Sequence, residues 1–318
     1  MSLVEAFSAA PRFSVQAPSA VVMVRPHRFH PNPQTAADNA FQQPVAGQSP
    51  ETLAAAAYRE VGQAADTLDA AGVRVHLFED DGAGDTPDAV FPNNWFSTHA
   101  GGHVAIYPMY SPNRRRERRA DVIEMLKREY RVQDVIDYSG LEADGVFLEG
   151  TGAMVLDHVA RVAYTAASNR AHAVALERFC THFNFEPMAF HTADAQGRAV
   201  YHTNVLMCVA TEFALVGLDL ISDPARRQAV QARLEETGRT VIPLERSQIE
   251  RFAGNALELN GRAGRLLALS AQAEASLRPE QKALIERSAQ LVPLSVPTIE
   301  LAGGSVRCML AGIHLSRR

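Results

Sequence analysis

Cysteine is scarce in this chain. Only Cys180, Cys208 and Cys308 occur in 318 residues, far apart and odd in number. That excludes a disulfide framework and a CxxC-type zinc site, and it fits a reducing, cytoplasmic setting. Long apolar runs are missing as well; nothing approaches the roughly 20 residues of a membrane span. The opening "MSLVEAFSAAPRFSVQAPSA" has no basic start and no continuous apolar stretch. Residues 1–19 therefore read as a flexible N-terminal tail, not a signal peptide, ahead of one domain over 20–318. An excess of one charge is missing too: 31 Lys+Arg against 36 Asp+Glu leave a net charge of −5, spread along the chain. This argues against nucleic acid as a partner. The basic run "NRRRERR" (113–119) is interrupted by Glu117 and reads as a solvated helix face. No G-x-G-x-x-G follows the first strand, and no Walker motif occurs. The one tryptophan, Trp95, follows two asparagines in "FPNNWFSTH", where Asn is a turn residue between strand-like runs.

What is present is a repeat. Helix starts of Ser or Ser-Pro type stand at Ser49, Ser111, Ser168, Ser222 and Ser276, 54 to 62 residues apart. After each helix comes a short strand, such as "VRVHLF" or "FEPMAF"; before it come two, such as "AMVLDH" with "RVAYTA". Five strand–strand–helix–strand units argue for an α/β architecture. One unit cannot bury both faces of its sheet, but five around an axis can. The final run "GGSVRCMLAGIHL" lacks a helix and is expected to pair with "AVVMVRP", closing the ring. The expected fold is a five-bladed α/β propeller of pseudo-five-fold symmetry.

The repeat locates a site. Asn94, Glu149, His202 and Asn255 stand 17 to 21 residues before their helix starts, at or just before the first strand of a unit, and Cys308 opens the equivalent strand of the closing segment. Alone, each has an ordinary structural explanation: core cysteine, surface turn, satisfied buried histidine, turn cap. Equivalent points of a five-fold arrangement meet at its axis, so Asn94, Glu149, His202 and Cys308 are expected to converge. Gly303 and Gly304 allow close backbone approach before Cys308, and Arg307 adds positive charge that favours a thiolate.

At these residues the sequence resembles the guanidino-group-modifying superfamily: arginine deiminases, dimethylarginine hydrolases and amidinotransferases. "LEGTG" resembles its glutamate motif at Glu149, "YHTN" its histidine motif at His202, and "GGSVRCM" its nucleophile motif at Cys308. "PDAVFPNNWF" is similar to the segment carrying a guanidinium-binding aspartate, which falls on Asn94. Within the superfamily, "MVRPHRFHPNPQTAADNAFQ" and "FPNNWFSTH" are similar to the citrulline utilization hydrolases. The resemblance implies the propeller fold, a Cys–His–Glu site, and a small ureido or guanidino amino acid as substrate, without metal or cofactor. Self-association is compatible with it.

Two positions depart from the arginine-acting pattern. Aspartates that grip a guanidinium are replaced by the amides Asn94 and Asn204. A carboxylate pair suits a group whose nitrogens are all donors. A neutral ureido group has an acceptor oxygen as well, which an amide NH₂ can meet. The expected substrate is therefore L-citrulline: the Cys308 thiolate attacks the ureido carbon, and His202, oriented by Glu149, moves the protons. Asp88 is a further candidate for substrate contact, and Arg25 and Arg307 for the substrate carboxylate. Residues 27–42 read as a lid or recognition loop. The alternatives are an arginine dihydrolase or deiminase, and a non-catalytic amino-acid sensor.

Overall fold

The structure, a computed structural model, describes residues 15–45 and 47–318. Five three-stranded sheets share one connection pattern: an antiparallel pair, then a helix, then a third strand parallel to the second. Ala20–Pro26 (β1) runs through helix Pro50–Ala70 (α1) to its parallel partner Arg74–Asp80 (β2). The second sheet holds Phe96–His99 (β3), His103–Ile106 (β4), helix Ala120–Glu129 (α2) and Asp134–Asp137 (β5). The third holds Met154–Asp157 (β6), Val162–Ala166 (β7), helix Ala173–Phe183 (α3) and Glu186–Phe190 (β8). The fourth holds Met207–Val209 (β9), Phe213–Val216 (β10), helix Pro224–Glu235 (α4) and Thr240–Pro243 (β11). The fifth holds Leu257–Gly261 (β12), Gly264–Ser270 (β13), helices Ala271–Ser276 (α5) and Pro279–Ile285 (α6), and Gln290–Leu294 (β14). Ala311–Gly312 (β15) then pairs antiparallel with β1, Val21 opposite Gly312 and Val22 opposite Ala311. The layout is propeller-like, with pseudo-five-fold repetition.

Burial follows the sequence pattern. Strands β3, β6 and β9 are buried at every position, whereas β5, β8 and β11 expose residues to water. The first strands adjoin one another: β3 touches β15, β9 touches both β6 and β12. Helix α1 buries Leu53, Ala57, Val61, Ala64, Ala65 and Leu68, a stripe at three- and four-residue spacing that meets Val21 and Met23 of β1.

The helix starts need correction. Ser49 caps α1 as expected, its hydroxyl accepting from the Thr52 N–H, with Pro50 next. Ser111–Pro112 opens a separate 3₁₀ turn, Pro112–Glu117, which ends before α2; Arg118 and Arg119 are extended between them. Ser168 lies ahead of α3, which His172 caps. Asp223, not Ser222, caps α4, and Ser276 ends α5 instead of starting a helix. Of the expected tail, residues 1–14 lie outside the described residues. Gln16 is buried, its amide donating to Leu156 O and Val209 O and accepting from the His158 N–H, so ordered structure begins ahead of residue 20.

Candidate active site

Each first strand is entered through a tight bend, and the bend carries the polar residue. Asn94 ends the 3₁₀ turn Pro92–Asn94 before β3, and Glu149 precedes the one-turn helix Gly150–Ala153 before β6. Asn204 lies in the turn Thr203–Val205 before β9, with His202 extended ahead of it. Asn255 stands two residues before β12, and Cys308 lies in the one-turn helix Val306–Met309 before β15.

These residues are buried and in contact. The Cys308 sulfur accepts from the amide nitrogens of Asn204 and Asn255, each at 3.3 Å. Asn255 Nδ2 also donates to Asn204 O at 2.9 Å. His202 Nε2 lies 2.8 Å from Glu149 Oε2, and Glu149 Oε1 accepts from the Tyr110 N–H at 3.0 Å. Gly152 lets His202 and Asn94 approach one another: a Cβ there would lie 2.8 Å from His202 Nδ1 and overlap the Asn94 amide. The last glycine of "LEGTG" is thus a condition of close approach.

Charge sets the protonation of this group. Burial alone would raise the Glu149 carboxyl, but Arg170, the His202 hydrogen bond and Arg114 hold it far below the usual carboxylate range. An ionised carboxylate only accepts, so Nε2 of His202 carries the hydrogen and Nδ1 keeps its lone pair, facing Gly152 and Asn94. Burial pushes His202 down to about 4, against the pull of Glu149 and with help from Arg170 and Arg114, so the ring is neutral near pH 7. Cys180 and Cys208 are both pushed up to about 12 by burial, which keeps them thiols.

The main surprise is Arg114. The solvated-face reading of "NRRRERR" fails here, because Arg114 and Glu117 are buried and point inward. Arg114 Nε and one terminal nitrogen grip Glu117 at 2.9 and 3.0 Å; Glu149 and Asp88 lie 3.5 and 3.6 Å away. With its amide turned to satisfy both neighbours, Asn94 presents its oxygen to Arg114 at 3.0 and 3.1 Å and its nitrogen to Asn93 Oδ1 at 3.1 Å. Burial, with Asp88 and Glu149 nearby, pushes Glu117 up to about 8 despite Arg114. A second buried guanidinium, Arg170, stacks on Tyr201, touches Glu149 Oε2 at 3.4 Å and grips Asp38 with Nε at 3.0 Å and a terminal nitrogen.

Asp38 belongs to segment 27–42, which packs onto the same residues. Asn32 donates to Asp88 Oδ2 at 2.8 Å; Asn39 lies against Gly303 and donates to Ala302 O. Two acceptors, Asp88 Oδ1 and Asn204 Oδ1, are buried without a hydrogen-bond partner among the described residues.

Six of the eight residues expected from sequence thus come together: Cys308, His202, Glu149, Asn94, Asn204 and Asp88. The other two are elsewhere. Arg25 pairs with Glu79 and lies over the Tyr58 ring. Arg307 adjoins Cys308 in the chain, but its side chain donates to Leu310 O and lines a separate cavity with His158 and His314. Reading the sequence missed Arg114, Glu117, Arg170 and Asp38 as members of the cluster. The signal for Arg114 was the Pro112 start and the Glu117 break, which end a turn before any amphipathic period begins. Arg170 carried no local signal. Among the described residues, no group of three or more His, Cys, Asp or Glu is placed to hold a metal ion, and no helix is long and apolar enough to cross a membrane.

No curated protein matches the chain. Solved structures do. The N-terminal domain of ArgZ, an arginine dihydrolase from the ornithine-ammonia cycle in cyanobacteria, captured with substrate as a cysteine-to-serine mutant, superposes with a TM-score of 0.72 at 16% identity, covering 92% of this chain and 97% of that one. Unliganded AgrE gives 0.71 at 16% identity, with 94% of this chain on 40% of the other. A cysteine-to-serine mutant of the Pseudomonas aeruginosa DDAH, complexed with citrulline, gives 0.62 at 13% identity, covering 95% and 100%. The model of the eukaryotic N,N-dimethylarginine dimethylhydrolase family matches residues 25–315. The chain belongs to that family of hydrolases acting on carbon–nitrogen bonds, within the guanidino-group-modifying superfamily.

Proposed function

We propose that this hydrolase acts on the ureido carbon of L-citrulline, giving L-ornithine, carbon dioxide and ammonia. One observation carries the reading: the side chains that hold the Cys308 sulfur are amides, Asn204 and Asn255, while Asp88, Glu117 and Glu149 already surround Arg114. A guanidinium substrate calls for a carboxylate beside the sulfur, and the carboxylates of this cluster face Arg114 and Arg170 instead. A ureido group needs none, and its N–H groups suit the open acceptor Asn204 Oδ1. The role once expected of Asn94, donating to the ureido oxygen, is weakened, because its oxygen faces Arg114 and its nitrogen serves Asn93.

In this mechanism neutral His202 takes the Cys308 proton at Nδ1. The sulfur attacks the ureido carbon, and a C–S bond forms. The carbon–nitrogen bond to ornithine breaks as His202 returns the proton to the leaving nitrogen. Water, deprotonated by His202, then cleaves the S-carbamoyl group to carbamate, which decomposes to carbon dioxide and ammonia. Glu149 holds the tautomer and stabilises the imidazolium. We assign the substrate carboxylate to Arg170, where Asp38 occupies a carboxylate's place in the free enzyme, and we read segment 27–42 as the lid that Asp38 ties down. The five sheets are read as blades of one closed α/β propeller, forming a single catalytic domain.

An arginine dihydrolase is the second reading, and one observation favours it: Asp88 Oδ1, a buried carboxylate oxygen without a partner among the described residues, suits a cationic nitrogen. Ornithine and ammonia release from citrulline and from arginine, in separate reactions, tests both. Ornithine from citrulline alone is the expected result. Ornithine from both substrates would establish the dihydrolase, and from neither would overturn both readings.

A further inference from the structure

Arg307 and Cys308 are chain neighbours that face different spaces. Arg307 lines a cavity of about 40 Å³ together with Gln16, Cys208, His158 and His314. That volume exceeds the roughly 10–15 Å³ that one water needs, yet it is too small for an amino acid. His158 and His314 are stacked, with ring centroids 3.9 Å apart. Among the described residues the Arg307 guanidinium has one hydrogen bond, to Leu310 O at 2.9 Å. Among the described residues no carboxylate pairs with it, and its charge faces the imidazoles of His158 and His314.

A second guanidinium reinforces this field. Arg161 donates to the carbonyls of Phe183 and Asn184, lies over the Phe185 ring, and has no ion-pair partner among the described residues. Its charge acts on His158, His314 and His99. The nearby carboxylates are engaged elsewhere: Asp157 is gripped by Arg239 and by the N–H groups of Val159 and Ala160, and Glu258 faces Thr211 and Arg265. Elsewhere in this protein, buried arginines such as Arg114, Arg170 and Arg239 have carboxylate partners. Arg307 and Arg161 are only half-buried, and a partly desolvated charge without a counter-charge still costs stability.

We propose that this cavity is a binding site for one small monovalent inorganic anion, a halide or bicarbonate, held by Arg307 with a donated hydrogen bond from His158, while the His314 ring donates to the Val15 backbone. The anion supplies a counter-charge that no carboxylate among the described residues provides there. It also lies close to the sulfur: the Arg307 backbone N–H donates to Asn255 Oδ1 at 3.1 Å, and Asn255 donates to the Cys308 sulfur.

The test is thermal melting of the full chain at constant ionic strength, with sodium gluconate replaced by chloride, bromide or bicarbonate. Gluconate is too large to enter. The wild type is expected to melt about 2 °C or more higher in at least one small anion, and Arg307→Met to melt at the same temperature in all four salts. Bicarbonate acting alone would tie the site to the reaction's own product; the halides acting as well would make it a general anion site. Because Arg307→Met can fail to fold, wild-type crystals soaked in bromide provide the second measurement. An anomalous peak within hydrogen-bond distance of the Arg307 guanidinium is expected. Equal melting of the wild type in all four salts, or bromide found only on the outer surface, overturns the proposal.

Discussion

The one-turn helix Val306–Met309 separates two regions built on opposite electrostatic plans. Around Cys308, positive and negative groups are interleaved: Arg114 and Arg170 lie among Asp38, Asp88, Glu117 and Glu149. Around Arg307, the cations face imidazoles and carbonyls and have no carboxylate partner among the described residues. Burial acts on both, but its result depends on the partners. Glu149 stays ionised because two guanidiniums and an imidazole surround it. His158 and His314 stay neutral because burial and neighbouring cations both oppose a proton. A carboxylate kept ionised in the interior thus needs a second set of charges to hold its state, and Arg114 and Arg170 supply them.

The sharpest separation of the two regions is catalytic. Cys308→Ala is expected to lower turnover by about 10⁴-fold or more while circular dichroism and the melting transition persist; full activity in a folded variant would end the covalent mechanism. Glu149→Gln comes next. A neutral amide no longer fixes the His202 tautomer, so kcat should fall by about 10²–10⁴-fold with a smaller change in KM, as steady-state kinetics would reveal.

Stability gives the next contrast. Arg114→Met leaves three buried carboxylates around an apolar side chain and should cost about 3–5 kcal/mol in urea unfolding. Arg161→Met at the other end leaves two helix-end carbonyls but no charged partner behind, and should cost less than about 1 kcal/mol. Similar losses at the two positions would erase the distinction drawn between the regions.

The smallest effect is on pH dependence, and its sign differs between regions. His314 is pushed down to about 4, and His158 and His99 lie well below their ordinary 6.5. An unfolded chain takes up these protons near pH 6.5, so their contribution to stability is full above that value and is lost as pH falls toward 4. Glu117 is raised to about 8, so its contribution is full below about 4.5 and is lost as pH rises to 8. Glu117→Gln should flatten the alkaline limb of a stability–pH curve and leave the acid limb in place; loss of both limbs together would refute the assignment.

Much of this was legible in the sequence, for a physical reason. The strand–strand–helix–strand repeat shows in hydrophobic runs, and a polar residue before each first strand interrupts them where the chain must bend. Asn94, Glu149, His202 and Cys308 could therefore be placed together without knowing any distance; Asn204 followed only from the resemblance, and Asn255 was not expected against the sulfur. Arg114 could not. An arginine in "NRRRERR" differs from its neighbours only in direction, and that direction follows from a 3₁₀ turn ending at Glu117, with Arg118 and Arg119 extended before α2. Arg170 and Asp38 meet across 132 positions, through a segment whose path is set by anchors at Asn32 and Asn39 rather than by periodicity. The Ser168 and Ser276 misplacements have the same origin: serine satisfies turns as readily as helix caps.

The pairing of β15 with β1 bears on the order in which this enzyme is assembled. Val21 meets Gly312 across most of the chain, and Cys308 stands three residues before that strand. At roughly 5–20 residues per second, a ribosome delivers the thiol tens of seconds after β1 emerges. By then the segments bearing Asn94, Glu149, His202 and Asn255 have all been synthesised. The Cys308 sulfur follows them all, into surroundings already present to receive it, and the strand after it completes the sheet of β1 and β2.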